Sequence, residues 1–144
     1  MWTIFESLAG DLCKAAHNRM PDGLLELQDK KRYKRRAFTG LRGIKEAFEA
    51  AFYKNSSIDP IIQSDVFERV SALRNLIVHR SGTADDEYIQ RTQETAGLPD
   101  LPRGEKLRLD GTMIEELLSG ATNQARALIL AVDQWLDDHA ISPD

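Results

Sequence analysis

Apolar residues recur at intervals of three and four through most of the chain, the spacing that puts them on one face of an α-helix. Near the start they are Trp2, Phe5, Leu8, Leu12 and Ala16, and Thr3 with Glu6 forms a capping-box pattern, so a helix is predicted from about Thr3 to Asn18. Pro21, Asp22 and Gly23 break it. Phe38, Leu41, Ile44, Phe48, Ala51 and Phe52 restore the period, which predicts one long or two abutting helices over 23–53, weakened locally by Gly40 and Gly43. After a polar loop, Pro60 suits the first turn of a third helix with the stripe Ile62, Val66, Val70, Leu73 and Ile77. That helix should stop near Arg80, with Gly82 as its left-handed cap. Thr83 then caps a short helix whose first turn holds Asp85, Asp86 and Glu87. Residues 97–111 carry two prolines and three glycines, and only the alternation from Lys106 to Leu109 suggests an extended piece. Thr112 and Glu115 open a last helix, with Ile114, Leu117, Ala121, Ala125, Leu128, Val132 and Trp135 on one face, running to about Asp138. The pattern predicts an all-α fold, an up-and-down bundle of four long helices plus a short one, in a single domain over 1–144.

Composition narrows the possible chemistry. With 144 residues, 42% of them hydrophobic, the chain is long enough to bury a core without disulfide or metal support. Its single cysteine, Cys13, permits no internal disulfide, and any metal site would need scattered His and carboxylate ligands, so no cofactor and no metal are expected. No apolar run reaches the roughly 18 residues of a membrane span, and the N-terminal segment lacks the basic start and cleavage site of a signal peptide. A cytoplasmic protein with no membrane partner is expected. The chain has no phosphate-binding glycine loop, zinc-type His pair or serine-elbow motif, which removes most enzyme classes.

What remains is a polar group at the end of the third long helix, in ALRNLIVHRSG: Arg74, Asn75, His79 and Arg80. Asn75 and His79 are four apart and share a face, and the long Arg74 side chain reaches the same surface. An imidazole that exchanges a proton near neutral pH, beside a guanidinium that grips phosphate oxygens, suffices for metal-free RNA cleavage. The ribose 2′-hydroxyl is then the nucleophile, His79 accepts or returns a proton, and Arg74 neutralises charge developing on the phosphate. The bland reading is that basic residues simply terminate a helix, where its dipole favours them.

Arg74, Asn75 and His79 resemble the signature of the HEPN superfamily, an Arg, often a polar residue next, then a His after an interval of four to six. The continuation RNLIVHRSGTADDEY is similar to the way such domains leave their motif helix. The resemblance implies a bundle of four or five helices and a homodimer in which the motif helices of two copies form one cleft. It also implies metal-independent endoribonuclease activity of the kind found in toxin and defence systems, sometimes with an antitoxin or neighbouring-gene protein as partner. Carried onto this chain, it makes Arg74 and His79 the catalytic pair and Asn75 the residue that orients them. A subset of the family has a Tyr two positions after the His, where nucleotide is attached; here Ser81 stands instead. Other members have lost catalysis and serve as dimerisation or binding modules that contact RNA, nucleotide or protein, which is the alternative function.

A second feature bears on RNA independently. The net charge is −4, yet Lys30, Lys31, Arg32, Lys34, Arg35 and Arg36 surround Tyr33 in seven positions, a positive patch with an aromatic on which a base can stack. Together with Arg80 these residues are the candidates for RNA or phosphate binding; the competing reading is a solvated helix face. Asp133, Asp137, Asp138 and His139 are read as solvated surface, His17 and Cys13 as helix-end and packing residues, and Trp2 and Trp135 as core or dimer contacts.

Overall fold

The computed structural model describes residues 1–19, 38 and 40–139. The basic run and most of the helix predicted over 23–53 lie outside them. Among the described residues the fold is all-α, with six helical segments: α1 (Trp2–Arg19), α2 (Leu41–Phe52), α3 (Asp59–Ile62), α4 (Asp65–Arg80), α5 (Asp86–Glu94) and α6 (Gly111–Asp138). The only strand-like feature among them is an isolated antiparallel bridge between Thr83 and Lys106. None of these helices is long and apolar enough to cross a membrane.

The chain divides into two compact units, one of residues up to 63 together with those from 124 onward, the other of residues 64–123. In the first, α1 packs on α2. Its buried side chains include Phe5 and Cys13 of α1, Ile44, Phe48 and Phe52 of α2, and Leu128, Val132 and Trp135 of α6. Phe52 meets Trp135 edge-on with ring centroids 5.1 Å apart, the offset that aromatic quadrupoles prefer, so Trp135 is a core residue. Trp2 is buried as well, tilted against Phe5, and its indole N–H donates to the Glu6 carboxylate at 2.7 Å. That bond takes the place of the expected capping box: the helix starts one residue earlier, and Glu6 serves the indole.

The second unit holds α4, α5, the irregular segment after α5 and the first part of α6. Its core joins Leu73 and Leu76 of α4 to Ala84 and to Tyr88 of α5, with Leu98, Leu101, Leu107 and Leu117 packed around them. The proline- and glycine-rich connection is therefore fastened by its leucines. It is also tied to the end of α4, because the Leu107 N–H donates to the Gly82 carbonyl and the Ala84 N–H to the Glu105 carbonyl, each at 2.8 Å. Both groups are paired rather than left to solvent.

Several boundaries differ from expectation. Pro60 starts the short α3 instead of the third long helix, which begins at Asp65. Ile77 is exposed, and α4 buries Phe67, Val70, Leu73 and Leu76 instead, a face rotated from the predicted stripe. Ser81, not Gly82, is the left-handed C-cap of α4, with Gly82 also at positive φ and its N–H closing back on the Leu76 carbonyl at 3.0 Å. Asp85 rather than Thr83 caps α5. Asp110 rather than Thr112 caps α6, its carboxylate accepting from the Met113 N–H at 2.8 Å. Ile114, expected on the inner face of α6, is exposed. Asp110→Ala should therefore cost about 1 kcal/mol, the usual penalty for losing a side-chain N-cap, and Thr112→Ala much less. Urea denaturation of the two variants checks this, and equal losses would contradict the assignment.

Candidate active-site cleft at the end of α4

The last two turns of α4 change character because the helix leaves its core there. Leu73 and Leu76 point inward, whereas Ile77, Val78, His79 and Arg80 are exposed and Arg74 and Asn75 are half-buried. The helix period puts Asn75 and His79 on one face, and Arg74 reaches them from beside it. Its Nη1 donates to the Asn75 carbonyl oxygen at 3.0 Å and stands 3.2 Å from His79 Nε2. One guanidinium nitrogen thus joins all three side chains of the motif.

A guanidinium has donors and no acceptor, so a hydrogen bond from Arg74 needs the lone pair on His79 Nε2 and leaves the ring proton on Nδ1. In this arrangement the Nε2 lone pair is engaged by Arg74 and is open to another proton donor only when Arg74 moves off it. Asn75, by accepting from the same Nη1, keeps Arg74 turned toward the imidazole instead of into solvent.

Asn75, His79 and Arg80 line one side of an open cavity of about 370 Å³, and α5 supplies the other side through Glu87, Tyr88 and Arg91. Asp85 joins the two sides. Its Oδ1 accepts from the Tyr88 N–H at 2.9 Å and caps α5, while Oδ2 accepts from Arg80 Nε at 2.6 Å. Those two interactions, the backbone bond foremost and the Arg80 bond next, hold the Asp85 carboxyl below the ordinary aspartate range. The Tyr88 ring is buried in the core and its hydroxyl donates to the Pro99 carbonyl at 2.9 Å. Burial, and secondarily the Asp100 charge, push the phenol up to about 12, so Tyr88 is a fastener and not a proton carrier.

The structure thus brings together Arg74, Asn75, His79 and Arg80, while Lys30, Lys31, Arg32, Tyr33, Lys34, Arg35 and Arg36 lie outside the described residues. Arg80 is committed through Nε to Asp85. Sequence reasoning missed Asp85 as a link, and Glu87 and Arg91 as cleft residues. The signal for Asp85 was present, an acid directly before a helix; the signal for Arg91 was not, because it needs the tertiary packing of α5 on α4. Cys13 is buried and its thiol is pushed up to about 12 by that burial, which removes it as a nucleophile. Among the described residues, no group of three or more His, Cys, Asp or Glu side chains converges as a metal site. His139 stacks on Trp135 with its Nδ1 on the Trp135 carbonyl, and Asp138 accepts from Gln134. Searches against protein-family models, curated proteins and solved structures gave no match.

Because the folded Asp85 carboxyl titrates below its unfolded value, the unfolded chain takes up the proton first as pH falls. The stabilisation is complete above about pH 4, the ordinary aspartate value, and is lost as pH drops through the depressed folded value. Asp85→Asn keeps a capping oxygen but carries no charge, so its urea midpoint should fall less than that of the wild type between pH 5 and pH 3. Parallel curves for the two proteins would show that the link is not stabilising.

Proposed function

We propose that the protein is a metal-independent endoribonuclease of toxin or defence type, a cytoplasmic HEPN-like helical bundle acting as a homodimer. The observation that carries this reading is the Arg74 Nη1 shared between Asn75 Oδ1 and His79 Nε2, two side chains that line an open cleft. The lone pair on Nε2 is the general base that takes the proton of a ribose 2′-hydroxyl. The resulting oxygen attacks the adjacent phosphorus, the P–O5′ bond breaks, and the departing oxygen takes the proton back from the His79 imidazolium, which restores the neutral base. The products are a 2′,3′-cyclic phosphate and a 5′-hydroxyl. Arg74, displaced from His79 by the incoming phosphodiester, neutralises the charge that builds on the non-bridging oxygens. DNA, lacking the 2′-hydroxyl, is inert.

Ile77 and Val78 support the dimeric part of the reading. They are 44% and 59% exposed and adjoin His79 on the same two turns, so a second copy covering them would bring two motif helices together.

Two outcomes are expected. Purified protein should cleave RNA in the presence of a metal chelator, leaving cyclic phosphate ends, and His79→Ala and Arg74→Ala should each lower the rate by about 10²–10⁴-fold, the range that general bases and oxyanion donors supply. Equal activity in all three proteins would exclude this site, and tight RNA binding with no turnover would instead assign the motif to a binding module. Val78→Glu should shift the protein from dimer to monomer in sedimentation and abolish cleavage in parallel. A fully active monomer would exclude the composite cleft.

A further inference from the structure

Arg91 occupies a position that the Arg74–His79 chemistry does not use. It lies on α5, lines the same 370 Å³ cavity as Asn75 and His79, and keeps only 31% of its side chain exposed. Its one carboxylate partner given by the structure is Glu87, a turn earlier on the same helix, 3.4 Å away and 65% exposed. A pair that long, with a carboxylate that stays largely hydrated, holds the guanidinium weakly. Arg80, by contrast, is tied to Asp85 at 2.6 Å. The formal charges of Arg80, Arg91, Asp85 and Glu87 around the cavity cancel pairwise, so an anion enters most readily where a pair is loosest. That place is Arg91.

We infer that Arg91 is a phosphate-binding residue of this cleft: it holds a backbone phosphate of single-stranded RNA on the α5 side while the scissile phosphate lies at Arg74 and His79, and Glu87 competes with that phosphate for the guanidinium. This rests on the ribonuclease reading for the nature of the ligand. A diester offers the planar guanidinium fork two non-bridging oxygens that share one negative charge, a bidentate match that the single Glu87 oxygen at 3.4 Å does not give. The cavity is at the small end of ligand clefts, typically about 300–1,000 Å³, which suits one nucleotide and not a duplex. Binding would swap one partner of Arg91 for another and leave the Arg80–Asp85 link between the helices intact.

The test uses the full chain and a fluorescently labelled 2′-O-methyl oligoribonucleotide, which binds as RNA but has no free nucleophile. Affinity is measured by anisotropy across a salt series in chelator, with folding followed by thermal melts. Arg91→Gln should weaken binding about 5- to 20-fold and reduce the slope of log K against log salt by about 0.7, the loss of one phosphate contact on a single strand. Glu87→Gln should tighten binding about 2- to 3-fold, which keeps the test decisive if Arg91→Gln folds poorly. Wild-type affinity and slope in Arg91→Gln, or no gain in Glu87→Gln, would overturn the assignment. Parallel cleavage of the unmodified oligonucleotide separates the two readings. Arg91-dependent binding without cleavage overturns the enzyme and leaves this site standing, while cleavage with Arg91-indifferent binding does the reverse.

Discussion

The link through the Asp85 carboxylate is what makes the end of α4 a site and not a frayed terminus. A helix that carries its functional side chains on the last turn must be stopped there, since four carbonyls are left without helical partners and the terminal turn tends to open. Ser81 and Gly82 stop it with two consecutive left-handed residues. Asp85 then spans the turn, one oxygen on Arg80 behind it and the other on the α5 backbone ahead. The Tyr88 that donates to Asp85 is the same residue that fills the core and reaches the Pro99 carbonyl. Core packing, the fastened connection and the position of Arg80 therefore pass through one short stretch of chain, and a fault in any of them would be felt at His79.

The electrostatics of the cleft follow from the same device. Arginines in a cleft repel one another and lose hydration, and pairing each with a carboxylate offsets both costs. The pairing also lowers their availability to an incoming phosphate. The structure grades this trade, with Arg80 held at 2.6 Å, Arg91 at 3.4 Å, and Arg74 directed at the neutral partners Asn75 and His79. Among the described residues, Arg80, which fixes the cleft, is tightly paired, while those proposed to meet the ligand are loosely paired or not paired with an acid.

How much of this was legible in the sequence depends on how local each feature is. The extent of α1, the end of α4 at Arg80 and the run of α6 to Asp138 agree closely with the predicted ranges, because apolar period and capping signals act within a few residues. The capping residues themselves were misplaced. Ser, Thr and Asp are all good caps, and where Thr83 or Thr112 stands two residues from an aspartate, the choice turns on which oxygen reaches an N–H. The inner face of α4 is rotated from the expected stripe because Ile62, at the head of that stripe, belongs to α3. Leu98 and Leu101 have no period to betray them, and their burial is decided by what they meet. Arg74, Asn75 and His79 could be picked out as a group because they are near in sequence; Arg91 could not, because helix packing brings it there.

One apparent conflict resolves once the proton and the phosphate are treated separately. A helix C-terminus presents carbonyls and the negative end of the dipole, a poor place for an anion and a good one for a cation. Under the proposed reaction His79 takes up the proton that the 2′-hydroxyl gives up, while the negative charge builds on the phosphate. The phosphate has to be met by side chains alone, from α4 through Arg74 and from α5 through Arg91, with nothing supplied by the backbone. The α4 backbone disfavours the anion at this end, so under the proposed reaction the phosphate depends on guanidinium groups, Arg74 from α4 and Arg91 from α5. The short turn held by Asp85 is what keeps that second helix within reach.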